Sequence, residues 1–192
     1  MIQMYGACGS LEEARRVFES IDHPNGFSWN ILLTAYAQRG HLQDSKRIFD
    51  AMPERDVMEG VEPDEISFMG TLVACSYKGV LLEGIQIFQT MIQGHGLEPR
   101  QEHYSCMISI LGRAGDVRSA EWLLQSMPFR PDSVAWAALL SSCKIHDESV
   151  LGVRAAKNAF RTRAWDATPY VLLSNLCLTE RKLKTTVKEL SK

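Results

Sequence analysis

The stretch Glu102–Met127, EHYSCMISILGRAGDVRSAEWLLQSM, decides the fold of this chain. Tyr104, Ile108 and Leu111 recur at helical spacing before Gly115, and Val117, Ala120, Leu124 and Met127 do so after it. The segment therefore predicts two short amphipathic helices joined at a glycine. Isolated helices below about 12–15 residues are marginal in water, so this hairpin needs neighbours of its own kind to cover its apolar faces.

The chain supplies them. Cys8-Gly9-Ser10-Leu11, Arg39-Gly40-His41-Leu42, Lys78-Gly79-Val80-Leu81 and Ala114-Gly115-Asp116-Val117 share one pattern, a glycine followed two positions later by an aliphatic residue. Glycine suits a left-handed helix end, where a Cβ would clash. Nine positions after each glycine stands Phe18, Phe49, Phe88 or Leu124, and three further on Ile21, Met52, Met91 or Met127. Before the glycines come Tyr5, Trp29 with Leu33, Phe68 with Leu72, and Tyr104 with Ile108. Glycine-to-glycine spacings of 31, 39 and 36 give a repeat of variable length. Stacked hairpins of this size make an all-α fold, an α-solenoid with its first helices on the concave side. The expected units are a partial one at 1–25, then 26–64, 65–100 and 101–132, followed by a further helical segment at 133–178 and a tail at 179–192.

Composition narrows the function. Of 192 residues 45% are hydrophobic and 23% charged, an ordinary globular balance. No apolar run approaches the 18 or so residues of a membrane span, so no membrane partner is expected. No signal peptide is visible, and Met1 enters directly into a helical pattern, as in a chain that begins inside a longer one. The five cysteines, Cys8, Cys75, Cys106, Cys143 and Cys177, are dispersed and never form CxxC, which argues against a disulfide framework or a zinc ribbon. Cys75 and Cys143 fall in a slot where a small apolar side chain packs, and read as buried thiols. The net charge of -2 hides -8 over residues 1–150 and +6 over 151–192. A uniformly basic nucleic-acid binder is excluded; contact with nucleic acid would rely on groove chemistry or on the tail that carries Arg181, Lys182, Lys184, Lys188 and Lys192.

Several stretches are more specific. They are Phe27 to Gly40 (FSWNILLTAYAQRG), Met52 to Asp56 (MPERD), Val61 to Phe68 (VEPDEISF), His103 to Gly115 (HYSCMISILGRAG) and Trp136 to His146 (WAALLSSCKIH). Together they resemble the plant pentatricopeptide repeat proteins, in particular the class with repeats of alternating length (P, L and S). Ser133 to Asn175 resembles the E motif that follows the repeats in that class. Two departures stand out. Between Val57 and Met58 the chain passes from one unit's end to another's, as if a repeat body were missing, which predicts a non-helical linker with Pro53, Gly60 and Pro63 and a break in the stack near 53–64. In the E-like segment Asp147 replaces the turn glycine and Ser149 the aliphatic residue, which predicts a weakened hairpin.

The resemblance implies binding of single-stranded RNA, one nucleotide per repeat read by two or three side chains. The implied reading pair is the residue after the aromatic that opens a first helix, together with the last residue of the repeat. In the second unit this gives Asn30 with Asp56 if the unit is short, or with Asp64 if the linker belongs to it, a combination similar to the uracil-preferring one. The fourth unit pairs Ser105 with Asp132, closer to the guanine-preferring type, and the third offers the unreadable Met69 and Arg100. Phe27, Ile66 and Val134 occupy the slot implied to wedge between bases, and Glu102 departs from it. On helical spacing alone Phe27 reads as core and Asn30 as a helix cap; the resemblance reverses both.

No enzyme and no cofactor are expected. His146-Asp147-Glu148 matches the H-x-E half of a zinc deaminase signature, yet no P-C-x-x-C follows. The resemblance implies an adaptor for organellar RNA processing in a mitochondrion or chloroplast, chiefly site recognition for C-to-U editing with a deaminase-domain protein acting in trans through the E-type motif. The alternatives are a helical scaffold that binds protein in the tetratricopeptide manner, supported by the acidic balance of residues 1–150, and a non-functional gene fragment.

Overall fold

A computed structural model describes residues 1–53, 63–162 and 171. Among them every regular element is helical: α1 (Ile2–Cys8), α2 (Leu11–Glu19), α3 (Gly26–Gln38), α4 (Leu42–Asp50), α5 (Glu65–Lys78), α6 (Leu81–Gln89, continued by a π-helical turn at Thr90–Gly94), α7 (Gln101–Arg113), α8 (Val117–Ser126), α9 (Ser133–Ile145) and α10 (Ser149–Thr162). The helices fall into two compact units, Met1–Pro99 and Arg100–Lys192.

The turn glycines do what their spacing predicts. Gly9, Gly40, Gly79 and Gly115 have φ of 91°, 72°, 66° and 94°, left-handed values that cost an L-residue strain. Asp147, at the equivalent place between α9 and α10, takes φ 55°. Aspartate is among the few residues that enter this region at modest cost, so the hairpin forms despite the lost glycine. The buried role expected of Ser149 passes to Leu151, two positions later.

In the unit Met1–Pro99, α3 packs between α1 and α5, while α2 and α4 each pack on their own first helix and on the next. Aromatic plugs join the repeats. Phe18 of α2 meets Trp29 of α3 edge-on with centroids 4.7 Å apart, and Phe49 of α4 meets Phe68 of α5 at 5.0 Å. Such pairs are worth about 0.5–1.5 kcal/mol beyond the area they bury. The break expected near 53–64 is corrected in one respect: residues 54–62 lie outside the described part, but α5 packs directly on α3 and α4, so the stacking of first helices continues across the linker.

In the unit Arg100–Lys192, α7 packs on α8 and α9, and α9 on α10. Ile108, Val117, Leu124, Leu139, Leu140 and Ala155 lead its core. Cys75 and Cys143 are fully buried in their respective units, and burial pushes their thiols up to about 11 and about 12. Unreactive packing groups are the result.

First helices approach closely because small residues face each other. A Cβ on Gly6 of α1 would lie 2.7 Å from the Cβ of Ala35, and one on Gly112 of α7 would lie 1.7 Å from Ser142 Oγ and 2.3 Å from its Cβ. At the same crossings the residue just before the turn caps the preceding repeat. Arg39 Nη2 donates to the carbonyls of Gly6 and Ala7, both at 3.2 Å, and His146 Nε2 lies 2.8 Å from the Gly112 carbonyl. The Gly6 and Gly112 carbonyls already accept the N–H of their turn glycines, Gly9 and Gly115, at 3.2 Å, and these two side chains add a second donor from the next repeat.

Candidate nucleic-acid interface

The residue that closes one repeat is the N-cap of the next first helix, and this makes the pairing of distant side chains possible. Asp64 precedes α5 in an extended conformation, and its Oδ1 accepts from the backbone N–H of Ile66 and of Ser67, both at 3.0 Å. The cap fixes the carboxylate in space. Because α5 packs on α3, that carboxylate faces the first turn of α3, where Asn30 Nδ2 donates to Asp64 Oδ1 at 3.0 Å and lies 3.1 Å from Oδ2. Of the two partners open to Asn30 in the sequence, Asp64 is brought to it, and Asp56 lies outside the described residues.

Ser67 completes the arrangement. Its Oγ donates to Asn30 Oδ1 at 2.6 Å and accepts the Asp64 backbone N–H at 3.2 Å. Asn30 is thus held at both ends of its amide, which assigns its oxygen to the hydroxyl and its nitrogen to the carboxylate. Helix capping alone does not describe it, since the cap of α3 is Asn25, whose side chain accepts from Ser28 N–H at 2.9 Å.

On either side of this network stand two apolar side chains exposed to solvent, Phe27 at 70% and Ile66 at 58%. An aromatic left this open does not serve the core, which settles the choice for Phe27 against the interior. Together with Asn30 they line a groove of about 300 Å³ on the first-helix face, floored by Gly6, Ala7 and Thr34. Small floor residues are what leave room there.

The corresponding place in the other unit is built differently. Ser105 lies in α7 and is 7% exposed, with its hydroxyl donating to the Gln101 carbonyl one turn back at 3.0 Å. Asp132 caps α9 by accepting from Ala135 N–H at 2.8 Å. No hydrogen bond joins Ser105 to Asp132 among the described residues. Val134 is 57% exposed, and Glu102, also exposed, holds the other flank. Met69 stands in α5, and Arg100, the N-cap of α7, donates its backbone N–H to His103 Nδ1 at 3.0 Å. The basic tail and the end of the E-like segment lie outside the described residues, and no described helix is long and apolar enough to cross a membrane.

Sequence reading missed Ser67. The signal was present, because Asp64 followed three residues later by Ser67 is a reciprocal capping pattern, and a hydroxyl at that place lies beside whatever the cap residue holds.

Hairpins stacked through aromatic plugs and small-residue crossings, with polar pairs between successive first helices, define an α-solenoid of helical repeats. The PPR repeat model matches residues 1–22, 27–57 and 102–130. A chloroplastic pentatricopeptide repeat-containing protein of Arabidopsis thaliana, ELI1, is 41% identical over 176 residues, covering 92% of this chain and 27% of its own length. A mitochondrial one from the same plant is 38% identical over 92% of this chain and 22% of its own length. The chain thus spans about a quarter of the length of these relatives. Among solved structures, maize PPR10 superposes with a TM-score of 0.70 at 20% identity, covering 96% of this chain and 28% of that one. The pentatricopeptide domain of Arabidopsis thaliana protein-only RNase P 1, solved in complex with tRNA, does so with a TM-score of 0.65 at 18% identity, covering 91% of this chain and 94% of that one. PPR10 has also been solved in complex with an 18-nt psaJ RNA element.

Proposed function

We propose that this chain is a sequence-selective, single-stranded RNA-binding adaptor in organellar RNA processing. The observation that carries the reading is the Asn30–Asp64 pair, fixed at the base of a groove between the exposed side chains of Phe27 and Ile66. The aromatic flank, Phe27, suits a base by stacking, worth about 1–3 kcal/mol per base, and Ile66 offers it an apolar contact. Beyond its shared contact with Asp64, the Asn30 amide has a second N–H that meets no acceptor among the described residues, and the carboxylate beside it accepts. Uracil offers a matching edge, an N–H flanked by carbonyls. Ser105 with Asp132, flanked by Val134, is the second candidate slot, of the guanine-preferring type.

The organellar setting is supported by relatives named chloroplastic and mitochondrial. Within it the reading favoured is site recognition for C-to-U editing, with the deaminase supplied in trans and docked on the E-like segment 133–175. Binding by the chain alone is expected to be micromolar or weaker and steeply salt-dependent, since the charge of -8 over residues 1–150 opposes phosphate. That same acidity is what favours the rival, a scaffold for a protein partner.

The test is Asn30→Ala against oligonucleotides that differ at one base. Loss of about 1–3 kcal/mol for the uracil-containing RNA, and little for the others, is the expected result. Equal loss for all four bases would reduce Asn30 to a structural residue and return the protein scaffold to first place. Incubation with a cytidine-containing RNA and zinc, without other protein, is expected to leave cytidine unchanged.

A further inference from the structure

We infer that Ser67, which is fully buried and cannot touch RNA, is a specificity-determining positioning residue for the Asn30 slot. The inference rests on the RNA-binding reading above and deepens it.

A primary amide presents a donor at one end and an acceptor at the other, and the ends differ by half a turn about Cβ–Cγ. Which end meets a base decides which base edge fits. At Asn30 the nitrogen is drawn to the Asp64 carboxylate at 3.0 Å, and the oxygen is taken by the Ser67 hydroxyl at 2.6 Å. Ser67 is 0% exposed, and its one hydroxyl proton has two acceptors in reach, Asn30 Oδ1 at 2.6 Å and Asp64 Oδ1 at 3.1 Å; the shorter contact takes it, and that donation removes the amide oxygen from the groove. The hydroxyl is itself oriented, since it accepts the Asp64 backbone N–H at 3.2 Å. The ring closes through Asp64, and the groove is left with an amide N–H beside a carboxylate oxygen. Without the hydroxyl, Asp64 still attracts the nitrogen, but the amide plane is no longer fixed at its other end. Its oxygen can then turn to the groove and accept from the exocyclic amine of cytosine. Discrimination between the two pyrimidines therefore depends on a side chain that no base contacts.

The test uses Ser67→Ala and Ser67→Thr in the full chain. The responsive base position is located first, as the one at which Asn30→Ala weakens binding, and dissociation constants are measured there for uracil and cytosine. Ser67→Ala is expected to lower the uracil-over-cytosine ratio by about fivefold, the scale of one ordinary hydrogen bond; Ser67→Thr, which keeps the hydroxyl, is expected to restore it. Thermal unfolding of both variants separates this from a loss of the α5 cap, which would weaken binding to both RNAs alike and leave the ratio unchanged. A wild-type chain that discriminates and a Ser67→Ala chain that discriminates equally well would overturn the inference alone. A wild-type chain with no base preference at any position would overturn the RNA reading and the inference with it.

Discussion

The two candidate slots occupy the same place in the repeat, one built by α3 and α5 and the other by α7 and α9, yet among the described residues only the first is joined by hydrogen bonds. In the Met1–Pro99 unit, Asn30, Asp64 and Ser67 close a ring of hydrogen bonds. In the Arg100–Lys192 unit, Ser105 turns back on its own helix, Asp132 only caps α9, and Ala135 stands where Ser67 does. The difference lies in side-chain reach. An asparagine is long enough to bridge from one first helix to the cap of the next, whereas a serine satisfies itself on the carbonyl one turn below. A slot of the first kind is rigid before its ligand arrives. One of the second kind leaves its carboxylate free to accept.

The contrast extends to packing, where the largest effects are expected. Gly112→Ala places a Cβ against both Oγ and Cβ of Ser142, and rotating the hydroxyl away removes only the first clash. Destabilisation of about 2–3 kcal/mol is the expected cost of overpacking, with recovery on adding Ser142→Gly. A first-helix glycine at another register in the other unit, Gly70→Ala, meets Leu33 side-chain atoms at 3.2 and 3.3 Å and Thr34 Oγ1 at 3.7 Å. There the gain in helix propensity, about 1 kcal/mol, offsets the strain. Denaturant unfolding that ranked the two variants in reverse would show that the α7–α9 crossing is looser than described.

Capping sharpens the comparison at a lower energy. Asp64→Ala removes two cap hydrogen bonds to α5 and the partner of a buried amide, and about 2 kcal/mol of stability is expected to go with them. Asp132→Ala removes one cap bond and is expected to cost about 1 kcal/mol. Equal losses, measured by the same unfolding assay, would mean that the Asn30 contact contributes nothing to the fold. Smallest is Asp147→Gly, which relieves a left-handed aspartate but adds freedom to the unfolded chain. A net gain of roughly 0.5 kcal/mol is expected, and a loss would imply that the Asp147 side chain holds the turn.

Much of this was legible in the sequence, for identifiable reasons. Turn glycines and the aliphatic and aromatic residues at fixed distances from them report a backbone requirement and a buried face, and both are local properties. Phe27 and Ile66 could be placed only through the resemblance, because helical spacing alone makes an aromatic look like core. The choice between Asp56 and Asp64 was not legible at all, since it depends on whether α5 stacks on α3 across the linker. Arg39 and His146, which cap the previous repeat, were missed for the same reason: each acts on a helix more than 30 residues away. Contacts between repeats leave no short-range pattern.

The central claim is that base preference resides in the wiring between successive first helices, and transplanting that wiring tests it most directly. Ser105→Asn with Ala135→Ser rebuilds at Asp132 the set found at Asp64. Binding is measured to RNAs varied at the position that responds to Ser105→Ala, with circular dichroism to confirm the helices. The account predicts that preference there moves from guanine to uracil, and that Ser105→Asn alone gives a weaker pyrimidine discrimination than the pair. An unchanged guanine preference in a folded double variant would contradict it.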